Sequence, residues 1–142
     1  METIFNGFVI SDERERLDID TVCTLLKTTY WADKRSLELI EKSIANSLCF
    51  GVYEGEKQVG FCRCVTDYAT FFWLADVIID EAYRRLGLGK ALIKMVSDYP
   101  VLKPLRGALA TRDANWLYAL YDFIPTDERF MTRPPEGTVG IR

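Results

Sequence analysis

The chain has 142 residues, 49% of them hydrophobic and 13% aromatic, a formal net charge of −3 and no histidine. This composition excludes a disordered chain, and the size fits one domain over 1–142 with room for a real core. The charge balance shows no nucleic-acid footprint, no apolar run approaches the roughly 20 residues of a membrane span, and Met-Glu-Thr-Ile-Phe-Asn-Gly at the start is not a signal peptide, so a soluble cytoplasmic protein is expected.

In chain order, Phe8–Ser11 reads as a short strand and Asp12–Arg16 as a solvated connection. Asp18 or Asp20 can cap a helix with Ile19, Val22, Cys23 and Leu26 on its apolar side, ending near Tyr30. Thr29–Arg35 is an aromatic and charged connector, and Ser36 can cap a second helix with Glu38 in its first turn and Leu37, Ile40, Ile44 and Leu48 along one side. Cys49–Glu54 and Gln58–Thr66 read as strands about a turn. Phe71–Ile79 is apolar on both faces, which predicts a central strand. A helix follows to about Asp98. Gly107–Thr111 reads as a strand, Ala114–Tyr121 as a short helix stopped before Pro125, and Arg129–Arg133 as a last strand. The end of the chain, 134–142, reads as a loose tail.

The four cysteines, Cys23, Cys49, Cys62 and Cys64, form no Cys-x-x-Cys pair. Without histidine a zinc site is not expected, and the thiols read as reduced and structural. The missing histidine also removes Ser-His and Cys-His nucleophile chemistry. A general acid or base must be Asp, Glu, Tyr, Lys or Cys.

The most informative stretch joins the strand Phe71–Ile79 to its helix through Arg84-Arg85-Leu86-Gly87-Leu88-Gly89-Lys90. A Gly-rich turn opening a helix is an anion site, because the first N–H groups lack partners and the dipole end is positive. A triphosphate loop requires Gly where Arg84 stands and Ser or Thr where Ala91 stands. A dinucleotide loop requires Gly where Leu92 stands. Arg84-x-x-Gly87-x-Gly89, preceded by Val77-Ile-Ile and Tyr83, instead resembles the pyrophosphate-binding signature (Gln/Arg-x-x-Gly-x-Gly/Ala) of the GNAT family of N-acetyltransferases. The order of elements resembles the family's over nearly the whole chain.

The resemblance implies an α/β (α+β) single domain: a mixed, splayed central sheet flanked by about four helices, with acetyl-CoA in the V-shaped cleft and no metal. It implies that Arg84, Arg85, Leu86, Gly87, Leu88, Gly89 and Lys90 hold the pyrophosphate. Backbone N–H groups of Val77, Ile78 and Ile79 would serve the pantetheine and thioester. Asn115-Trp-Leu-Tyr118-Ala-Leu-Tyr-Asp-Phe123 resembles the family's pattern for the proton donor to the leaving thiolate. That places Asn115 beside the cofactor and Tyr118 as general acid, with Tyr121 as fallback. A ring packed on the sheet is the plainer reading of Tyr118. Trp116 and Asp122 depart from the pattern: the first narrows or relines the cleft, and the second stands where a Gly turn is usual.

Asp76 has two readings. A carboxylate inside an apolar strand binds the substrate ammonium or takes its proton, directly or through water, or it is a structural group hydrogen-bonded to neighbouring backbone or to an arginine such as Arg63 or Arg112. Tyr30, Trp31, Asp67 and Tyr68 are candidates for the acceptor pocket, where acidic and aromatic groups suit a cationic amine. For these four, solvated loop positions are the alternative. The expected activity is acetyl transfer from acetyl-CoA to a primary amine of a small acceptor by direct attack in a ternary complex. A non-catalytic CoA- or acyl-CoA-binding regulatory module on the same fold is the alternative, and a plain interaction domain is a third. No nucleic-acid or membrane partner is expected, and a homodimer is compatible with a chain of this size.

Overall fold

The computed structural model describes residues 1–126 and 129–137. A single sheet of six strands runs in the order β1 (Glu2–Phe5), β2 (Phe8–Ser11), β3 (Leu48–Glu54), β4 (Lys57–Thr66), β5 (Phe71–Ile79) and β6 (Arg106–Ala108). Every neighbouring pair is antiparallel except β5–β6. That parallel pair needs a crossover, supplied by α3 (Leu88–Asp98). Helices α1 (Ile19–Lys27) and α2 (Leu37–Ala45) bridge β2 and β3, and the short α4 (Asn115–Ala119) follows β6.

The helix starts follow from local side-chain chemistry. The carboxylate of Asp18 accepts from the Thr21 N–H at 3.3 Å, and the hydroxyl of Ser36 accepts from the Leu39 N–H at 3.1 Å. The first helix ends at Lys27, earlier than Tyr30. Thr29 turns the chain there: its buried hydroxyl donates to the Leu26 carbonyl and accepts from the Ala32 N–H. One layer of core lies against α1 and α2, with Val22, Leu26, Ile40, Ile44, Phe61 and Ile78. The other lies under α3 and α4, with Cys62, Cys64, Phe72, Leu74, Leu92, Val96 and Tyr118. The sheet between them is apolar on both faces, as a central strand requires.

Four elements differ from the sequence reading. Glu2–Phe5 is a strand, closed onto β2 by Asn6-Gly7, both with positive φ (47° and 84°). That is the mirror-image turn that two-residue hairpins favour. Asp12–Arg16 is not merely solvated. Arg14 donates to the carbonyls of Ile44 and Ser47 at 2.9 Å each, closing the end of α2, and Asp12 takes the N-terminal ammonium and the Tyr99 hydroxyl. The sixth strand stops at Ala108, short of Thr111. Arg129–Arg133 is not a strand: no strand pairs with the outer side of β6 among the described residues, and Phe130 stacks its ring on Trp73 at 6.0 Å instead. Of the loose tail expected over 134–142, residues 138–142 lie outside the described part.

Candidate active site

Two local irregularities in β5 open the sheet. The first is a bulge. Phe61 pairs with Ile78 and Arg63 with Ala75, so Asp76 and Val77 together face Cys62. Asp76 takes a left-handed conformation (φ 57°), and the strand changes phase there. Phe72 and Leu74 pack on the α3 side before the bulge, whereas Ile78 packs on the α1–α2 side after it. The second irregularity is the short pairing with β6, which covers only Phe71–Trp73. Beyond Trp73 that edge of β5 has no strand neighbour among the described residues.

The gap is a cleft of about 1050 Å³. Its walls are β5 from Trp73 to Ile79, the loop and first turn Tyr83–Lys90 apart from Leu86, the segment Leu109–Ala114 that leaves β6, one face of α4, and Tyr30, Trp31, Arg35 and Arg63. Val77, Ile78, Ile79, Arg84, Arg85, Gly87, Leu88, Gly89, Lys90, Asp76, Tyr118, Tyr30 and Trp31 therefore share one cavity.

Four other candidates do not line it. Leu86 is 48% exposed and is absent from the cleft wall. Asn115 is exposed at the first position of α4. Asp67 folds onto its own turn, accepting from the N–H groups of Ala69, Thr70 and Phe71 and from the Thr70 hydroxyl. Those bonds, led by the one from the Thr70 side chain, hold its carboxyl well below the usual range. Tyr68, in the same turn with φ 62°, is 54% exposed.

The helix start fits a phosphate. Gly87 is the N-cap of α3 at φ 82° and has no side chain to satisfy the N–H groups of the first turn. These are free to meet an anion. A Cβ added at Gly89 would meet nothing within 4 Å, so the cavity reaches the backbone there. Arg84 is partly occupied, its Nε donating to the Ile79 carbonyl at 3.1 Å, which ties the loop to the end of β5. Lys90 lies 5.9 Å from the centre of the exposed Trp116 ring, so Trp116 lines the cleft mouth as a platform beside the cation.

Tyr118 is buried on the cleft side of α4, 9% exposed, and its hydroxyl bonds to no described residue. Burial pushes its pKa up to about 12. The phenol is therefore a protonated donor at neutral pH. The turn after α4 keeps the geometry that a Gly would give. Asp122 adopts φ 69°, the Phe123 N–H reaches the Tyr118 carbonyl and the Asp122 N–H the Ala119 carbonyl, and Phe123 packs edge-on against Tyr118 at 6.2 Å. This is the Schellman arrangement with its apolar contact. Asp122→Gly is expected to raise stability by about 1 kcal/mol, because only Gly enters that region without steric cost. Thermal unfolding of the pair would show it. Tyr121 takes no place in the cleft, since its hydroxyl donates to the Lys90 carbonyl at 2.9 Å and pins α4 to α3.

Asp76 is held from three sides. Its Oδ2 accepts from Arg63 Nε at 2.6 Å and Arg35 Nη1 at 2.7 Å, and its Oδ1 from Trp31 Nε1 at 3.0 Å. The expected partner Arg63 is present. Arg112 lies over the Tyr30 ring at 3.8 Å instead, and Arg35 was not foreseen. Burial opposes the charge on Asp76, but the bonds and charges of Arg35 and Arg63 outweigh it and keep the carboxyl below its usual range. A carboxylate so paired is a poor proton acceptor. Asp76→Asn removes the countercharge of two arginines that are 24% and 14% exposed, and is expected to destabilise by about 3 kcal/mol in denaturant titration. The same pairing fixes the sign of its pH dependence. The folded pKa lies below the unfolded value of about 3.9, so the contribution is whole above about pH 4 and is lost as pH falls through the folded value.

No group of three or more His, Cys, Asp or Glu able to hold a metal ion occurs among the described residues, and none of their helices is long and apolar enough to cross a membrane.

A sequence model of the acetyltransferase (GNAT) family matches residues 17–116. A crystal structure from Xanthomonas campestris pv. campestris, provisionally assigned to the GNAT acetyltransferases, is 37% identical and superposes with a TM-score of 0.89, covering 97% of this chain and 100% of its own. A Staphylococcus aureus structure described as a probable acetyltransferase is 18% identical, with a TM-score of 0.75 over 91% of this chain and 98% of its own, and shares the fold. A Gibberella zeae protein provisionally named an acetyltransferase is 24% identical over 78% of this chain and 75% of its own. The family match over most of the chain, and the close structural and sequence likeness to the Xanthomonas protein, establish that the chain belongs to the acetyltransferase (GNAT) family.

Proposed function

We propose that the protein transfers the acetyl group of acetyl-CoA to a primary amine of a small acceptor, by direct attack while both are bound. One observation carries this reading: the uncapped helix start at Gly87–Lys90, the unpaired edge of β5 and the Tyr118 hydroxyl all face a single cleft. When bound, acetyl-CoA supplies an activated thioester carbonyl. The first-turn N–H groups of α3, with Arg85 and Lys90, bind the pyrophosphate. The freed N–H groups of β5 around Val77–Ile79 orient the pantetheine arm and donate to the thioester oxygen. The acceptor nitrogen forms a bond to the acetyl carbon, the carbon–sulfur bond breaks, and the nitrogen gives up a proton to solvent water, from which Tyr118 regains the proton it donates. Tyr118 Oη delivers a proton to the departing sulfur. Asp76 holds Arg35, Arg63 and Trp31 in place rather than taking the amine proton. Cytoplasmic residence suits this reading, since acetyl-CoA is available there and the buried thiols of Cys62 and Cys64 act as apolar packing.

The test is thiol release from acetyl-CoA in the presence of a panel of primary amines, with mass spectrometry of product and protein. Acetylated amine and unmodified protein are expected. An acetyl group accumulating on the protein itself would contradict direct attack.

A further inference from the structure

The end of the cleft that faces the acceptor is cationic, not anionic. Arg35, Arg63 and Arg112 line it, with Asp76 and Asp113 as the acidic groups. Asp76 is fully engaged by Arg35, Arg63 and Trp31, and its side chain is 1% exposed. Asp113 is exposed and makes no ion pair with any of the three arginines; its charge is felt at Tyr118. Arg35 spends only Nη1 on Asp76, and Arg112 spends only its π face, on Tyr30. The rest of their guanidinium N–H groups meet no acceptor among the described residues. They stand with the aromatic pair Tyr30–Trp31, whose rings are 5.0 Å apart, about 10 Å along β5 from the end gripped by Arg84.

A cationic amine with no other charge finds no open countercharge at Asp76, and the three guanidiniums outnumber the two carboxylates, Asp76 and Asp113, by one charge. A planar or tetrahedral anion matches the forked donors of arginine. We propose that the acetyl acceptor is an amine carrying its own anionic group, a carboxylate or a phosphate, and that Arg35 and Arg112 bind that group while the amine nitrogen points to the thioester. This reverses the expectation of a cationic acceptor. It rests on the acetyltransferase reading. The transfer itself is unchanged: a carbon–nitrogen bond replaces the carbon–sulfur bond, and the anionic group takes no part in it.

The test uses the intact protein and a panel of amines in matched sets, each with a carboxylate, a phosphate and a neutral form on the same skeleton, such as β-alanine, O-phosphoethanolamine and ethanolamine. Acetyl-CoA binding is measured on the same sample. The proposal expects the highest kcat/KM among the anionic forms, and the carboxylate and phosphate arms then tell which group is read. With that acceptor, Arg112→Gln should raise KM about tenfold, the loss falling on KM rather than kcat, since a charge-assisted bond is removed from a residue outside the Asp76 cluster. Neutral amines as the best acceptors, no turnover of any anionic amine by protein that binds acetyl-CoA, or an equal loss in Arg112→Gln with a neutral congener would each overturn it. Protein that fails to bind acetyl-CoA would bring down the acetyltransferase reading first, and this proposal with it.

Discussion

Gly89→Glu is expected to abolish acetyl-CoA binding while leaving the fold intact. Gly89 is in the first turn of α3, it lines the cleft, and a Cβ there meets nothing within 4 Å. The added side chain therefore enters open space rather than the core. A glutamate in the first turn of a helix suits the dipole and has better propensity than Gly, so Tm should hold or rise slightly. Its carboxylate would sit where the pyrophosphate must sit. Bulk and like charge together are expected to weaken binding by about 100-fold or more, about 2.7 kcal/mol. Gly87 is a worse place for this test. It has φ 82°, and a Cβ there would lie 3.2 Å from the Phe5 ring, so loss of binding would be confounded with strain. An unchanged Kd in folded Gly89→Glu would mean that the helix start is only a turn.

Tyr118→Phe is expected to lower kcat by about 10²- to 10⁴-fold, the range of general acid–base effects, with the Kd of acetyl-CoA within about twofold of the parent. The hydroxyl bonds to no described residue, so its removal leaves no buried partner stranded. The ring's contact with Phe123 is kept. Stability should thus be unchanged, and the loss can be assigned to the proton. With the pKa at about 12, the phenol is protonated at every ordinary assay pH, so no deprotonation of this group should appear in the profile below about pH 10. Normal turnover in the variant would remove Tyr118 from the mechanism and leave the sulfur to be protonated by water.

What was legible in the sequence is what depends on neighbours along the chain. The caps Asp18 and Ser36, the apolar stripe of α1, Ile40 and Ile44 of α2, and the Gly-rich helix start are local chemistry and stand where their spacing placed them, whereas Leu37 is exposed and Leu48 opens β3 rather than extending the stripe of α2. Asn6-Gly7 is local too: it is a two-residue hairpin signal, although Glu2–Phe5, the strand it closes, is mostly exposed. The bulge is different. Asp76 in an apolar strand marks an anomaly, but only the pairing of Phe61 with Ile78 and Arg63 with Ala75 shows that the strand changes phase there. Arg35 could not be assigned from spacing, since it reaches Asp76 from a connector 41 residues away. Asp67 failed as a pocket residue because its own turn offers three N–H groups, a nearer use for a carboxylate than any substrate. The strand expected at Arg129–Arg133 is absent: Phe130 stacks on Trp73 while staying 54% exposed, and alternation in sequence does not provide a pairing edge.

The acetyltransferase reading requires that this cleft hold acetyl-CoA. Calorimetric titration of the purified, folded protein with acetyl-CoA, and separately with ATP and NAD, tests it most directly. Saturable binding of acetyl-CoA near one equivalent, with no heat from ATP or NAD, is the predicted result. No binding of acetyl-CoA, or equal binding of all three, would contradict it.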